Sequence, residues 1–96
     1  GYFEDFAALE LAAAARRRQP AAIIMLDVDG LKDLNDTHGH AAGDLALREL
    51  VLRSQSCLGA GEYIARLSGD EFAVFLPGTD EAGARDVIRA IKQRLE

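Results

Sequence analysis

Residues 21–28 read Ala-Ala-Ile-Ile-Met-Leu-Asp-Val. This short apolar run contains β-branched residues and shows no polar alternation until its end, a pattern that is typical of a strand buried on both faces. Asp29 and Gly30 follow, so two carboxylates flank Val28 where the run ends. We therefore predict a central strand that carries acidic residues at its carboxyl end.

Helical patterns lie on both sides of this strand. Residues 2–18 are rich in alanine and leucine, end in three arginines and stop before Pro20, which predicts a helix. Residues 30–40 are polar and punctuated by glycine, with room for one or two helical turns. Apolar residues then recur at helical spacing, which predicts a second long helix from about Ala42 to Leu58.

The last third of the chain predicts a hairpin and a helix. Residues 62–67 and 72–76 are candidate strands joined by a four-residue connection. An apolar stripe over residues 87–95 predicts a final helix, for which Thr79 or Asp80 can supply the N-cap.

The resulting order, α-β-α-α-β-β-α, predicts an α+β fold. A strand, a helical crossover and a hairpin form most of a ferredoxin-like split βαβ unit, in which helices flank an antiparallel sheet. The strand that would close this sheet is missing from residues 1–96. Because proteins usually cover an unpaired strand edge, we expect the single domain to continue beyond Glu96.

Composition excludes several classes of partner. The 96 residues are 49% apolar and 28% charged, as in an ordinary globular domain. Eleven basic against sixteen acidic residues give a charge of −5, which argues against binding to nucleic acid or to anionic lipid. No apolar run reaches the roughly 20 residues of a membrane span, so no membrane contact is predicted. A single cysteine, Cys57, is expected to be a small buried hydrophobe in a helix and fits a cytoplasmic location.

The first acidic cluster is Asp27 and Asp29. Side chains of a strand alternate with period two, so both carboxylates are expected on one face. Hard oxygen ligands at a strand end suit Mg²⁺, which keeps several waters and binds substrate phosphates with one or two carboxylates. The alternative is a solvated loop start in which Asp29 caps a helix.

The second acidic cluster, Asp70 and Glu71, lies at the tip of the predicted hairpin. It follows Gly69, whose missing Cβ permits positive φ and the close approach of a ligand. Taken alone, this segment is more often an ordinary turn. In a split ferredoxin-like arrangement the hairpin lies beside the first strand, so we expect Asp27 and Asp70 to converge on one cation.

Two stretches together resemble the GGDEF domain of diguanylate cyclases. Residues 26–44 read Leu-Asp-Val-Asp-Gly-Leu-Lys-Asp-Leu-Asn-Asp-Thr-His-Gly-His-Ala-Ala-Gly-Asp, and residues 65–72 read Ala-Arg-Leu-Ser-Gly-Asp-Glu-Phe. The Asp-x-Asp block, the Asn-Asp-x-x-Gly-His-x-x-Gly-Asp block and the hairpin signature occur at compatible spacing. The resemblance covers the whole chain and implies a partial GGDEF domain over residues 1–96, with the palm-like sheet of nucleotide cyclases.

The resemblance implies condensation of two GTP molecules into cyclic di-GMP with release of pyrophosphate. Catalysis is then expected from a homodimer in which each domain holds one GTP, in a bacterial signal-transduction protein with an N-terminal sensory domain. By the same similarity, Asp27, the Val28 carbonyl and Asp70 hold two Mg²⁺ ions per active site, with Mn²⁺ as a possible substitute. Asp70 would activate the attacking 3′-hydroxyl, and Glu71 would assist.

The resemblance also implies a set of substrate-binding residues. The Asn35 amide and the Asp44 carboxylate would recognise guanine, because the carboxylate accepts from the ring N1–H and the exocyclic amine that adenine does not offer together. Lys32 and nearby backbone amides would contact the phosphates. Outside this pattern, an Asn in a turn or an Asp near a helix N-terminus is usually structural, and so is a lone histidine such as His40. The full set is Asn35, Asp44, Lys32, His40, Gly30, Leu31 and Gly69.

The sequence departs from the family pattern at several positions. Ser68 replaces the first glycine of the signature, and Gly30 replaces a bulky aromatic residue. Gly59 and Glu62 occupy the positions of an Arg-x-x-Asp product site, so feedback inhibition through that site is not expected. The stretch that normally precedes Tyr2 is also absent, and so are the closing strand and the basic residues beyond it. Residues 1–96 alone are therefore expected to be inactive.

Other functions remain as alternatives. The main one is a catalytically degenerate GGDEF-like module that binds GTP or a partner protein and has a regulatory role. A haloacid-dehalogenase-type phosphatase also begins with a strand and Asp-x-Asp-Gly, but it expects Thr or Val after Gly30. A Ca²⁺ loop fails because Lys32 stands where its glycine is required.

Overall fold

The structure, a computed structural model, describes residues 2–95, and only the backbone of residues 2 and 3. Gly1 and Glu96 lie outside the described residues, as does the strand expected after Glu96. The elements follow the predicted order, and the fold is α+β. They are α1 (Tyr2–Arg16), β1 (Ala21–Asp27), α2 (Leu31–His38), α3 (His40–Gln55), β2 (Tyr63–Ser68), β3 (Glu71–Pro77) and α4 (Glu81–Leu95).

The end of α3 differs from the prediction. The helix stops at Gln55 because its last turn tightens: the Ser56 hydroxyl donates to the Arg53 carbonyl at 2.5 Å, and the Cys57 amide donates to the Ser54 carbonyl at 3.0 Å. The prediction that Cys57 is buried within a helix is therefore wrong, because Cys57 is half-buried and lies in a turn. At α4, the Asp80 carboxylate accepts from the Gly83 amide at 2.8 Å, which confirms the predicted cap.

The hairpin between β2 and β3 is tighter than predicted. Its connection is Gly69 and Asp70, two residues instead of four, because β2 continues to Ser68 and β3 begins at Glu71. Arg66 pairs with Phe72 and Ser68 pairs with Glu71, so β2 carries one extra residue between them. This bulge bends β2 just before the acidic turn.

The three described strands form an antiparallel sheet in the order β1-β3-β2. β3 is therefore central, and the prediction of a central β1 is wrong for the described part of the chain. Residues 72–76 of β3 are all buried, because β3 pairs along both edges and is covered on both faces. In β1 only Ile24 is buried, while Met25 is 59% exposed.

Helices cover both faces of β3. Val74 packs with Ile91 of α4 on one face. On the other face, Phe75 contacts Phe6 of α1 and Tyr63 of β2, with ring centroids 6.5 and 5.6 Å away. Full burial of side chains of this size stabilises the fold by about 1.5–3 kcal/mol each, so this packing holds in place the strand that begins at the acidic turn.

Among the helices of residues 2–95, none combines the length and hydropathy that a membrane crossing requires.

Candidate active site

The two acidic clusters meet through the backbone of adjacent strands. The Val28 amide donates to the Asp70 carbonyl at 2.8 Å. In the ladder between β1 and β3, Asp27 lies opposite Glu71. The end of β1 and the hairpin turn are therefore neighbours, as the split ferredoxin-like arrangement predicted.

Asp29 does not have the position expected of it. β1 ends at Asp27, so strand alternation does not extend to Asp29, which lies in the following turn. The capping alternative is also wrong, because the N-cap of α2 is Gly30 with φ 78° and no side-chain cap hydrogen bond. Asp27, Val28 and Asp29 nevertheless line one cavity of about 510 Å³.

A second cavity, of about 250 Å³, collects most of the residues predicted to bind substrate. It lies between α2, the start of α3 and the hairpin turn. Cation, amide, imidazole and carboxylate side chains share its wall, so it offers both hydrogen-bond donors and acceptors. Its lining residues are Leu31, Lys32, Asn35, Asp36, His40, Gly69 and Asp70.

Asp44 lies elsewhere, in the first turns of α3. It lines a third cavity of about 660 Å³, whose other walls include Leu47 of α3, Arg66 of β2 and Phe72 of β3. The structure therefore groups Asn35 with Asp70 but places Asp44 on a neighbouring, more apolar surface. The two predicted guanine contacts belong to different cavities.

The residues predicted to hold a metal do not share one cavity: Asp27 and Val28 line the cavity of about 510 Å³, and Asp70 lines that of about 250 Å³. Within the described side chains, no group of three His, Cys, Asp or Glu residues is arranged to hold a metal ion. Mg²⁺ does not need one, because it is usually bound by one or two carboxylates together with waters and substrate phosphates. Carboxylate and carbonyl oxygens are nevertheless the type of donor that a divalent cation such as Mg²⁺ prefers.

The corner between α2 and α3 depends on glycine. Gly39 separates the helices with φ 88° and ψ 165°, and its amide donates to the Asn35 carbonyl at 2.7 Å. Residues with a Cβ rarely adopt such a φ, so glycine allows the sharp reversal. The corner turns Asn35 toward α3, where its Oδ1 is buried and has no hydrogen-bond partner among the described residues.

The prediction for Gly69 was partly wrong. The glycines with positive φ in the described chain are Gly30, Gly39, Gly61 and Gly78, so Gly69 does not use the left-handed region. A Cβ built on Gly69 would meet no atom within 4 Å. Because Gly69 also lines the 250 Å³ cavity, this open space lies beside the predicted substrate site.

Sequence reasoning missed Arg66. Its Nη2 donates to the Gly69 carbonyl at 2.8 Å, and its Nε donates to the Ser68 carbonyl at 3.2 Å. One guanidinium thus holds the two carbonyls that precede Asp70. The available signal was a cation placed just before an acidic turn, where its fork of donors can satisfy exposed carbonyls.

Comparison with known families identifies the fold. The sequence profile of the family described as "Diguanylate cyclase, GGDEF domain" matches residues 1–96. The chain belongs to this family. This GGDEF domain is 36% identical to diguanylate cyclase A of Treponema denticola over 84 residues, which are 88% of this chain and 23% of that protein.

Solved structures agree with the family assignment. The GGDEF domain of TpbB from Pseudomonas aeruginosa matches with a TM-score of 0.90 and 36% identity, over 97% of this chain and 58% of that one. The active GGEEF domain of a diguanylate cyclase from Vibrio cholerae matches with a TM-score of 0.84 and 35% identity, over 90% and 55%. The chain thus spans little more than half of these structures and a smaller part of its full-length relative.

Proposed function

We propose that this GGDEF domain, as part of the full-length protein, condenses two GTP molecules into cyclic di-GMP and releases two pyrophosphates. The observation that carries the proposal is the 2.8 Å hydrogen bond from the Val28 amide to the Asp70 carbonyl, which joins the two acidic segments. The diguanylate cyclases among the relatives support the same reaction. The condensation takes two steps. In each step the 3′-oxygen of one nucleotide forms a bond to the α-phosphorus of the other, and the bond from that phosphorus to the leaving pyrophosphate breaks.

The proposed phosphate contacts lie at the start of α2. Lys32 is exposed in the first turn, and Gly30 and Leu31 bring backbone amides to the same helix end. Free amides and the helix dipole at an N-terminus favour anions, so this end can bind a triphosphate although the chain has a net charge of −5. His40, at the start of α3, would order this wall of the cavity or touch the nucleotide.

The proposed guanine contacts are Asn35 and Asp44. Asn35 presents an amide, and Asp44 an exposed carboxylate that can accept from the ring N1–H and the exocyclic amine. Since they line different cavities, both contacts require a base that extends from the cavity at Asp70 toward α3.

Asp27, the Val28 carbonyl and Asp70 would hold the divalent cations, with two Mg²⁺ per site and Mn²⁺ as a substitute. When bound with GTP, the metal would neutralise phosphate charge and lower the pKa of the attacking 3′-hydroxyl. Asp70 would accept the proton of that hydroxyl, and Glu71, opposite Asp27, would assist from the same turn. Gly69 leaves open space for the nucleotide.

The reaction needs two domains, because each holds one of the two GTP molecules. We infer a homodimer in the full-length protein, a fused N-terminal sensory domain and a cytoplasmic location, where GTP is available. The comparisons support a multidomain parent, since the match covers 8% of the probable diguanylate cyclase DgcE of Escherichia coli.

The alternative is a degenerate GTP-binding or protein-interaction module, suggested by Ser68 in the signature. The backbone conformation at Ser68 supports a catalytically active domain instead. Arg18 has the only positive φ among the described non-glycine residues, so Ser68 occupies a conformation open to any residue.

One experiment separates the alternatives. The full-length protein is incubated with GTP and Mg²⁺, and the products are separated by chromatography. Cyclic di-GMP and pyrophosphate support the cyclase, whereas GTP binding without product supports the degenerate module. Inorganic phosphate released through an aspartyl-phosphate at Asp27 would instead indicate a phosphatase.

A further inference from the structure

Gly43 occupies an unusual place for glycine. It lies inside α3, where it is buried, although glycine is the least favourable residue of a helix interior after proline. Its φ is not among the positive values of the described glycines, so the backbone conformation does not require it. The reason for a glycine at this position must lie in the space beside it.

The neighbour that needs this space is Asn35. A Cβ built on Gly43 would lie 1.8 Å from Asn35 Oδ1, 2.8 Å from Cγ and 3.1 Å from Nδ2. Atoms that are not bonded do not approach so closely, and the overlap includes the whole amide group. Any other residue at position 43 would therefore expel the Asn35 side chain from its present location.

Hydrogen bonds hold the backbone around Asn35 and Gly43, so the backbone cannot easily move to accommodate a Cβ at position 43. The Gly39 amide donates to the Asn35 carbonyl at 2.7 Å, and the Ala42 amide donates to the Gly39 carbonyl at 3.2 Å. These bonds tie the end of α2 to the start of α3. The Asn35 side chain is the part that would move, because its Oδ1 has no hydrogen-bond partner in the part of the chain that the structure describes.

We propose that Gly43 is a positioning residue for base recognition: its missing Cβ lets the Asn35 amide lie against α3 while Asn35 lines the cavity that also contains Asp70. This inference rests on the proposed function, in which Asn35 reads guanine. Asn35 Oδ1 is buried toward Gly43, so the base would meet the part of the Asn35 side chain that lines the cavity.

The test is a double-mutant cycle in the full-length protein with GTP and Mg²⁺. Gly43→Ala is expected to raise KM for GTP about tenfold, which corresponds to about 1.4 kcal/mol, with kcat nearly unchanged. In an Asn35→Ala background, Gly43→Ala should add less than about twofold, since the clashing amide is gone. An unchanged KM, or independent effects that multiply, would overturn the proposal.

Gly83→Ala is the matched control. It is the same substitution within a helix, and its Cβ would also be crowded, at 2.9 Å from Thr79 Cγ2, but in α4 and away from the cavity. We expect it to leave KM for GTP unchanged. A rise equal to that of Gly43→Ala would attribute the effect to helix repacking in general and overturn the proposal.

Thermal unfolding tests the proposal if Gly43→Ala is too unstable for kinetic measurements. If Gly43→Ala alone fails to fold, the double variant with Asn35→Ala must fold, because the overlapping atoms have been removed. A double variant that also fails to fold would show that the glycine is needed for another reason, and the proposal would be wrong.

If the wild-type protein makes no cyclic di-GMP, the proposed function fails. The contact with Gly43 is still tested by whether Asn35→Ala restores the unfolding midpoint of Gly43→Ala. Wild-type protein that also shows no GTP binding in calorimetry would reject the role in base recognition.

Discussion

The hairpin turn (residues 68–71) and the α2–α3 corner (residues 35–44) are built on different kinds of contact. Main-chain carbonyls of the turn accept its hydrogen bonds: the Asp70 carbonyl accepts from the Val28 amide, and the two carbonyls before it accept from the Arg66 guanidinium. At the corner, a side chain lies against a glycine that leaves it space. A main-chain carbonyl still accepts its hydrogen bond when the side chain of its own residue is changed, whereas a steric contact between side chains is lost. Substitutions in the turn should therefore affect catalysis alone, and those in the corner should affect binding and packing together.

The largest expected effect comes from Asp70→Ala. Loss of this carboxylate should lower cyclic di-GMP formation about a thousandfold or more, because a proposed metal donor and proton acceptor disappears. The unfolding midpoint should change by less than about 2 °C, since Asp70 is exposed and its carbonyl remains. Product chromatography and thermal unfolding measure both effects, with Asp86→Ala in α4 as the control. Retained turnover would contradict the role given to Asp70.

Arg66→Ala tests whether the turn needs its side-chain support. Without the guanidinium, the Ser68 and Gly69 carbonyls lose their donor, and we expect kcat to fall about 10- to 100-fold with little change in KM. Arg66→Lys should recover only part of the loss, because an ammonium cannot reproduce the fork. Steady-state kinetics of each variant measure kcat and KM separately, and Arg89→Ala, at an exposed position of α4, serves as the control. An equal rise in KM would show that Arg66 acts on substrate binding instead.

Asp44→Ala should chiefly weaken the discrimination of GTP over ATP. We expect the ratio of kcat/KM values to fall about 10- to 100-fold, because a site that bonds a substrate group rejects the analogue that lacks it. Competition between the two nucleotides measures the ratio, and Gln55→Ala, at an exposed position of the same helix, is the control. Wild-type selectivity in the variant would mean that guanine is read elsewhere.

The smallest effect is expected from Ser68→Gly. The backbone at Ser68 is not in the left-handed region, and its contact with Arg66 uses the carbonyl, which glycine retains. Turnover should stay within about twofold of the wild type, since neither conformation nor contact requires the hydroxyl. An increase of tenfold or more would show that the Ser68 hydroxyl slows catalysis, which would contradict this prediction.

Local patterns predicted the elements well. The order of helices and strands, the Asp80 cap and the adjacency of the first strand and the hairpin are all confirmed. The errors lie where neighbouring groups compete for the same residues. α3 ends early because Ser56 and Cys57 tighten its last turn, and the hairpin shortens because pairing with Glu71 extends β2 to Ser68.

The candidate site was predicted in part. The sequence named six residues of the 250 Å³ cavity, because their motifs resemble a family. It did not identify Arg66, whose partners lie across a bulge, or explain Gly43, whose partner is on another helix. A sequence pattern does not show how much space lies beside a glycine in the folded chain, because that space depends on residues distant in sequence.

By itself the sequence determined the elements, the acidic clusters and the membership in the GGDEF family, because hydrophobic period, turn chemistry and motif spacing are local properties of the chain. Tertiary structure decided which strand is central, how Asp27 and Asp70 become neighbours and why Asn35 needs Gly43. These features depend on pairing register and on volume shared between distant residues, and both are settled only when helices and strands pack together.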